Sequence, residues 1–105
     1  MPDHEVDAVF SALADPTRRQ VMRCLSEGGA SSATDLAARL PVTRQAVAKH
    51  LGALTDAGLV VPERQGRQVL YRLTPAPLAD AMSWMASVGA EWDARLAALR
   101  RHVDS

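Results

Sequence analysis

The stretch Val42–Val60, VTRQAVAKHLGALTDAGLV, decides how this chain reads. Thr43 is a capping residue type, because a threonine oxygen accepts from the free N–H groups of a first helical turn. At about 100° per residue, Val47, Leu51, Leu54 and Gly58 fall on one narrow stripe, while Gln45, Lys49, Gly52 and Asp56 fall opposite it. The outer face is polar, slim and free of acids near its start. A helix of that shape fits a major groove roughly 12 Å wide, where Gln, Lys or Arg meet adenine or guanine edges. An ordinary amphipathic helix with a solvated face has the same pattern, so its neighbours must decide between the two.

Immediately upstream, Ser32-Ala33-Thr34-Asp35 has the form of a capping box, and Leu36, Ala37 and Leu40 give a short helix its buried stripe. Pro41-Val42 makes the turn between the two helices. Further back, Asp15-Pro16 marks a start, since Asp caps and Pro favours the first helical position. The helix that follows runs from Pro16 to about Glu27 with Thr17, Val21, Cys24 and Leu25 inward, and Gly28-Gly29 ends it. Val6, Val9, Phe10 and Leu13 recur on one helical face and predict a first helix over 3–14.

Downstream of Leu59 the period changes from helical to extended. VVPER is followed by QG and then RQVLYRL, in which Val69, Tyr71 and Leu73 alternate with Gln68, Leu70 and Arg72. Gln65-Gly66 is the expected hairpin turn, and Arg64, Gln65 and Arg67 mark the tip of a wing over 60–73. A helix-turn-helix over 32–58 followed by a hairpin is the winged helix-turn-helix order, which favours the nucleic-acid reading of the central helix. The expected fold is therefore mainly α with one small β-hairpin, a single domain over 1–105.

Pro75 and Pro77 can start a helix but not interrupt one, so a long last helix is expected over 76–103. In it Leu78, Met82, Met85, Gly89, Trp92, Leu96, Leu99 and Val103 follow a heptad seam, widened by Ala81, Trp84 and Val88. At 1.5 Å per residue it extends about 40 Å, more than so small a domain covers alone. Part of the seam should pack against a second copy of the chain.

The 105 residues are 48% apolar and 23% charged, a globular composition in which no apolar run approaches the roughly 20 residues of a membrane span. The acidic start MPDHEVD lacks the features of a signal peptide, and the single Cys24 suits a reducing compartment, so a cytoplasmic location is expected. Twelve basic residues balance twelve acidic ones, but unevenly. Residues 15–73 hold nine basic against five acidic side chains, and the two ends hold three against seven. A basic middle between acidic ends assigns one face to phosphates.

For that face, Gln45 and Lys49 are candidates for base edges, Arg44 for base or phosphate, and Thr43 and Ser32 for phosphates at helix starts. His50, about 60° off the core stripe, is a weaker contact because a histidine so placed more often packs or bonds to backbone. Arg64, Gln65 and Arg67 would lie along the duplex from the wing. Catalysis lacks parts: His4, His50 and His102 are scattered, and neither a nucleophile triad nor a phosphate-cradling loop is present.

ALADPTRRQVMRCLSEG, the segment ATDLAARLPVTRQAVAKHLGALTDAGLV and the wing PERQGRQVLYRL together closely resemble the ArsR-like family of small dimeric bacterial repressors, over about residues 6–103. The resemblance implies a homodimer joined through its first and last helices, adding Val6 and Phe10 to the interface of Leu78, Met82, Trp84, Met85, Val88, Trp92, Leu96 and Leu99. It also implies a partly palindromic double-stranded operator, read by two helices about 34 Å apart.

The chain departs from the family's metal-sensing members. They carry paired cysteines in the helix that here reads SSATDLAARL, or histidines and acids along the last helix. Here Asp80 is followed by Met82 where a histidine would stand, His102 has no paired ligand nearby, and Cys24 is alone. No metal or cofactor is expected; an intersubunit site of His4 and His102 is the residual route to one. Cys24, on the inward side of its helix, reads as a small core residue. Trp84 and Trp92 with Arg95-Leu96 resemble a metal-independent branch, some of whose members are encoded beside START-like ligand-binding proteins.

The expected function is a sequence-specific transcriptional repressor acting as a homodimer. One alternative is a metal- or small-molecule-responsive repressor with a site at the dimer interface, which for a small molecule would be an apolar pocket near Trp84, Met85 and Phe10. The other is a winged-helix interaction module that does not bind DNA.

Overall fold

The computed structural model describes the backbone from Asp3 to Asp104 and side chains from Val6 to Val103. The expectation for His4 therefore lies outside the described side chains. The elements are α1 (Asp3–Leu13), α2 (Pro16–Gly28), α3 (Ala33–Arg39), α4 (Arg44–Asp56), β1 (Val60–Gln65), β2 (Gln68–Leu73) and α5 (Ala76–Asp104). This is the winged helix-turn-helix order, with the wing between α4 and α5.

Local chemistry explains where each central element starts and stops. The Asp15 carboxylate accepts from the N–H groups of Thr17 and Arg18 at 2.8 and 3.1 Å, and Pro16 occupies the first position of α2. The capping box of α3 forms in both directions, with Asp35 N–H to Ser32 Oγ at 3.1 Å and Ser32 N–H to Asp35 Oδ2 at 3.4 Å. At its far end α4 closes in a Schellman motif: Leu59 N–H reaches the Leu54 carbonyl, Gly58 N–H reaches Thr55, and Gly58 takes φ +76°. Gly58 thus lies just past α4 and supplies a turn, whereas the sequence pattern counts it in the helix's inward stripe. The chain it redirects carries Leu59 and Val60 into the core.

The two strands pair antiparallel from Val60–Leu73 to Gln65–Gln68. That register makes Gly66-Arg67 the turn, one residue later than Gln65-Gly66. Gly66 has φ +61° and no other residue of the turn is left-handed, which matches a type II′ turn with glycine first. Gln65 consequently ends β1 as a paired residue.

One pairing has no counterpart in the sequence reading: Ser31 bridges Tyr71 on the other side of β2, with hydrogen bonds of 3.2 and 2.8 Å. Because Tyr71 spends both backbone groups on Ser31, its pairing with Pro62 in β1 is a non-hydrogen-bonded one. A proline there removes no ladder bond.

Val9, Val21, Leu36, Leu51 and Leu54 are fully enclosed between the first four helices, and Ala81 of α5 seals the same core. The inward face of α5 is thus set by Leu78 and Ala81; further along, Trp84 meets Phe10 of α1 yet stays 47% exposed, and Val88 is half-buried. Met82, Met85, Trp92, Leu96 and Leu99 of the seam point away from it and are exposed, Trp92 by 57%. Every residue from Gly89 to Val103 is exposed within the single chain. Val6, expected at the interface, is only 4% exposed within its own chain.

Candidate nucleic-acid interface

Thr43 sits just outside α4 in extended backbone, and its Oγ1 accepts from Ala46 N–H at 3.1 Å. The cap fixes the direction in which α4 leaves the turn. Val47, Leu51 and Leu54 lock one face into the core, so Arg44, Gln45, Ala48, Lys49 and Gly52 face out. Side chains shrink to Ala48 and Gly52 along this face, which keeps the helix slim enough for a groove.

Beside it runs an open cleft of about 360 Å³. One wall comes from Ser32, Thr34 and Asp35 of the α3 start with Arg44 and Ala48 of α4. The other comes from Arg67, Gln68, Val69 and Tyr71 of the wing. Sequence reasoning singled out Ser32, Arg44 and Arg67 here but passed over Thr34 and Gln68. Thr34 is exposed, and its Oγ1 accepts a hydrogen bond from Arg44 Nε at 3.0 Å. The signal for it was only its place in the capping box, which says nothing of a partner ten residues on.

The remaining candidates divide. Gln45 and Lys49 are exposed on α4 as expected. Arg64 is exposed at the wing and folds its Nε towards the Gly66 carbonyl at 3.4 Å, while Gln65 lies in the strand pair. Ser32 is only 7% exposed and its oxygen is committed to Asp35 N–H, which leaves just its hydroxyl proton for a phosphate. His50 turns the other way. It is half-buried and shares a recess of about 470 Å³ with Asp15, Arg18, Ala46, Lys49 and Ala53, on the α2 side of α4.

That recess has its own electrostatics. The Asp15 carboxyl is held below the ordinary aspartate range, first by the backbone N–H of Arg18. The N–H of Thr17 and the nearby His50 and Arg18 charges act in the same direction, against a partial desolvation that pushes the value up. Arg18 reaches the same carboxylate at 3.9 Å.

The uneven charge distribution is therefore only partly a charged face. Arg18 serves Asp15, Arg19 donates to the Leu13 carbonyl at 2.6 Å, and Arg39 reaches the Cys24 carbonyl at 3.4 Å. What borders the cleft and the α4 surface is Arg44, Lys49 and Arg67, with Asp35 as the one acid lining the cleft among the described residues.

Two further sites bear on ligands. A groove of about 270 Å³ between α1 and α5 is lined by Val6, Asp7, Phe10 and Trp84. No group of three or more His, Cys, Asp or Glu suited to a metal ion occurs among the described residues, and no helix there is long and apolar enough to cross a membrane.

A family model described as a helix-turn-helix domain matches residues 13–63. The transcriptional repressor SdpR of Bacillus subtilis (strain 168) is 34% identical over 77 residues, covering 73% of this chain and 84% of SdpR. Among solved structures, an ArsR-like transcriptional regulator from Rhodococcus sp. RHA1 superposes with a TM-score of 0.84 at 45% identity, over 93% of this chain and 92% of that one. The homodimeric winged helix-turn-helix DNA-binding domain of Mb0332 from Mycobacterium bovis, described as a possible ArsR-family regulator, gives 0.67 at 26% identity, over 84% and 81%.

Proposed function

Because the chain belongs to the ArsR family of DNA-binding winged helix-turn-helix transcriptional regulators, we propose that it is a cytoplasmic homodimeric repressor that reads a partly palindromic operator through α4 and the wing. The observation that carries this reading is the shared cleft: Arg44 on its helical wall and Arg67 on its wing wall flank a concave strip beside the exposed Gln45 and Lys49. Two cations across an open strip suit a phosphate backbone, which positions the protein, and the uncommitted Gln45 and Lys49 suit base edges, which specify sequence.

Dimerisation follows from α5. A face bearing the exposed side chains of Met82, Met85, Trp92, Leu96 and Leu99 favours burial against a second copy, and the homodimeric state of the Mb0332 domain supports a dimer. A twofold axis through α5 would present two α4 helices to successive major grooves. The reading uses no metal and no catalytic step. The test is selection of duplexes from a random-sequence library by the wild-type protein, followed by gel shifts: an enriched, inverted-repeat sequence is expected, and failure to enrich any sequence would remove the reading.

A second reading, an effector-responsive repressor, rests on the α1–α5 groove beneath Trp84. Its mark would be release of the selected duplex by a small apolar molecule.

A further inference from the structure

Arg44 has one hydrogen bond among the described residues, and it runs through Nε to the Thr34 hydroxyl at 3.0 Å. A guanidinium presents two donor edges, one formed by Nε with a terminal nitrogen and one formed by the two terminal nitrogens. Thr34 occupies the first edge. The second, with two parallel N–H donors, has no partner among the described residues and lies in the cleft that Arg67 borders from the other side. We infer that Thr34 is a positioning residue for operator recognition, holding Arg44 so that its terminal fork is preset for two oxygens of a phosphate or for the O6 and N7 of a guanine.

The inference rests on the DNA-binding reading and deepens it. An arginine at the first turn of an exposed helix face otherwise samples many rotamers, and freezing it on binding costs affinity. Thr34 is well placed to remove that cost, because it stands at the start of α3, whose capping box with Ser32 and Asp35 fixes the backbone beneath it. The cap uses Ser32 and Asp35, not the Thr34 side chain, so the Thr34 hydroxyl is left to Arg44. Fork recognition also needs arginine: a lysine at position 44 offers no Nε donor for Thr34 and no planar pair of donors for the duplex.

The test is a double-mutant cycle on a duplex enriched by the wild-type protein, measured by fluorescence anisotropy with thermal unfolding as a control for folding. Thr34→Ala should weaken binding about 3- to 10-fold, the range for one immobilised long side chain. Thr34→Ser, which keeps the hydroxyl, should bind like the wild type. In an Arg44→Ala background the Thr34→Ala change should have no further effect. Equal losses in both backgrounds, or a serine variant as weak as the alanine one, would show a merely structural Thr34 and overturn the inference, as would an Arg44→Ala variant that binds like the wild type. These outcomes leave the DNA-binding reading standing. Only a wild-type protein that enriches no duplex brings down both.

Discussion

Phe10 of α1 and Trp84 of α5 meet edge to face, with ring centroids 5.7 Å apart and planes at 66°. This contact joins the long helix to the body of the domain beyond Ala81, and the positive edge of one ring against the negative face of the other gives it an energy beyond area burial. Replacing either ring by leucine should lower stability. A double-mutant cycle by urea unfolding at fixed protein concentration should return a coupling of about 0.5–1.5 kcal/mol. Simple additivity would mean that the rings merely lie near each other.

The outer side of α5 makes a separate demand. Trp92 is exposed in the single chain, and Arg95 stacks over its ring at 5.8 Å. A carboxylate at this position would put a charge in an apolar seam and remove its largest side chain if the seam closes on a second copy. Trp92→Asp should therefore give monomers by sedimentation velocity and lose binding to the selected duplex. A Trp92→Asp protein that sediments as a dimer contradicts the seam.

The two faces of α5 also show where sequence reading stops. The heptad spacing located the helix and its apolar character, but periodicity alone does not say which part of a broad stripe its own domain will cover. Leu78 and Ala81 went inward because the chain enters α5 directly after β2, against α1, and the rest of the seam turned out. The caps at Asp15, Ser32 and Thr43 were legible because each is a local device of four residues or fewer. The Ser31–Tyr71 bridge and the Thr34–Arg44 bond were not, since each joins residues that only the completed fold brings together. His50 was placed by angle on α4, yet what it faces is decided by the packing of α2.

Asp15 sets a pH dependence. Its folded-state value is depressed, chiefly by the Arg18 N–H, so the stabilisation it gives α2 is present above the unfolded-state value of about 3.9 and is lost as pH falls through the lower folded-state value. Asp15→Asn should be less stable than the wild type at neutral pH, and the difference should shrink on acidification below about 3.9. A gap that stays constant in thermal unfolding through that acid range would mean that the charge contributes nothing.

Gln45 and Lys49 are exposed on α4, and the proposed reading assigns them the contacts to base edges. Replacing either by alanine should cost about 1–3 kcal/mol for each base edge it no longer meets and relax the preference at the matching position of the selected sequence. Gel shifts against the selected duplex and its single-position variants measure both effects. A variant with unchanged affinity and unchanged preference removes that residue from the reading set.

If the cleft between α4 and the wing grips a phosphate backbone, titrating salt against binding of the selected duplex will register it. A straight fall of log affinity with log salt is predicted, at about −0.9 per phosphate neutralised, with a slope shallower by about one unit when Arg67 is replaced by alanine. An affinity that barely responds to salt, or an Arg67→Ala slope equal to that of the wild type, would contradict it.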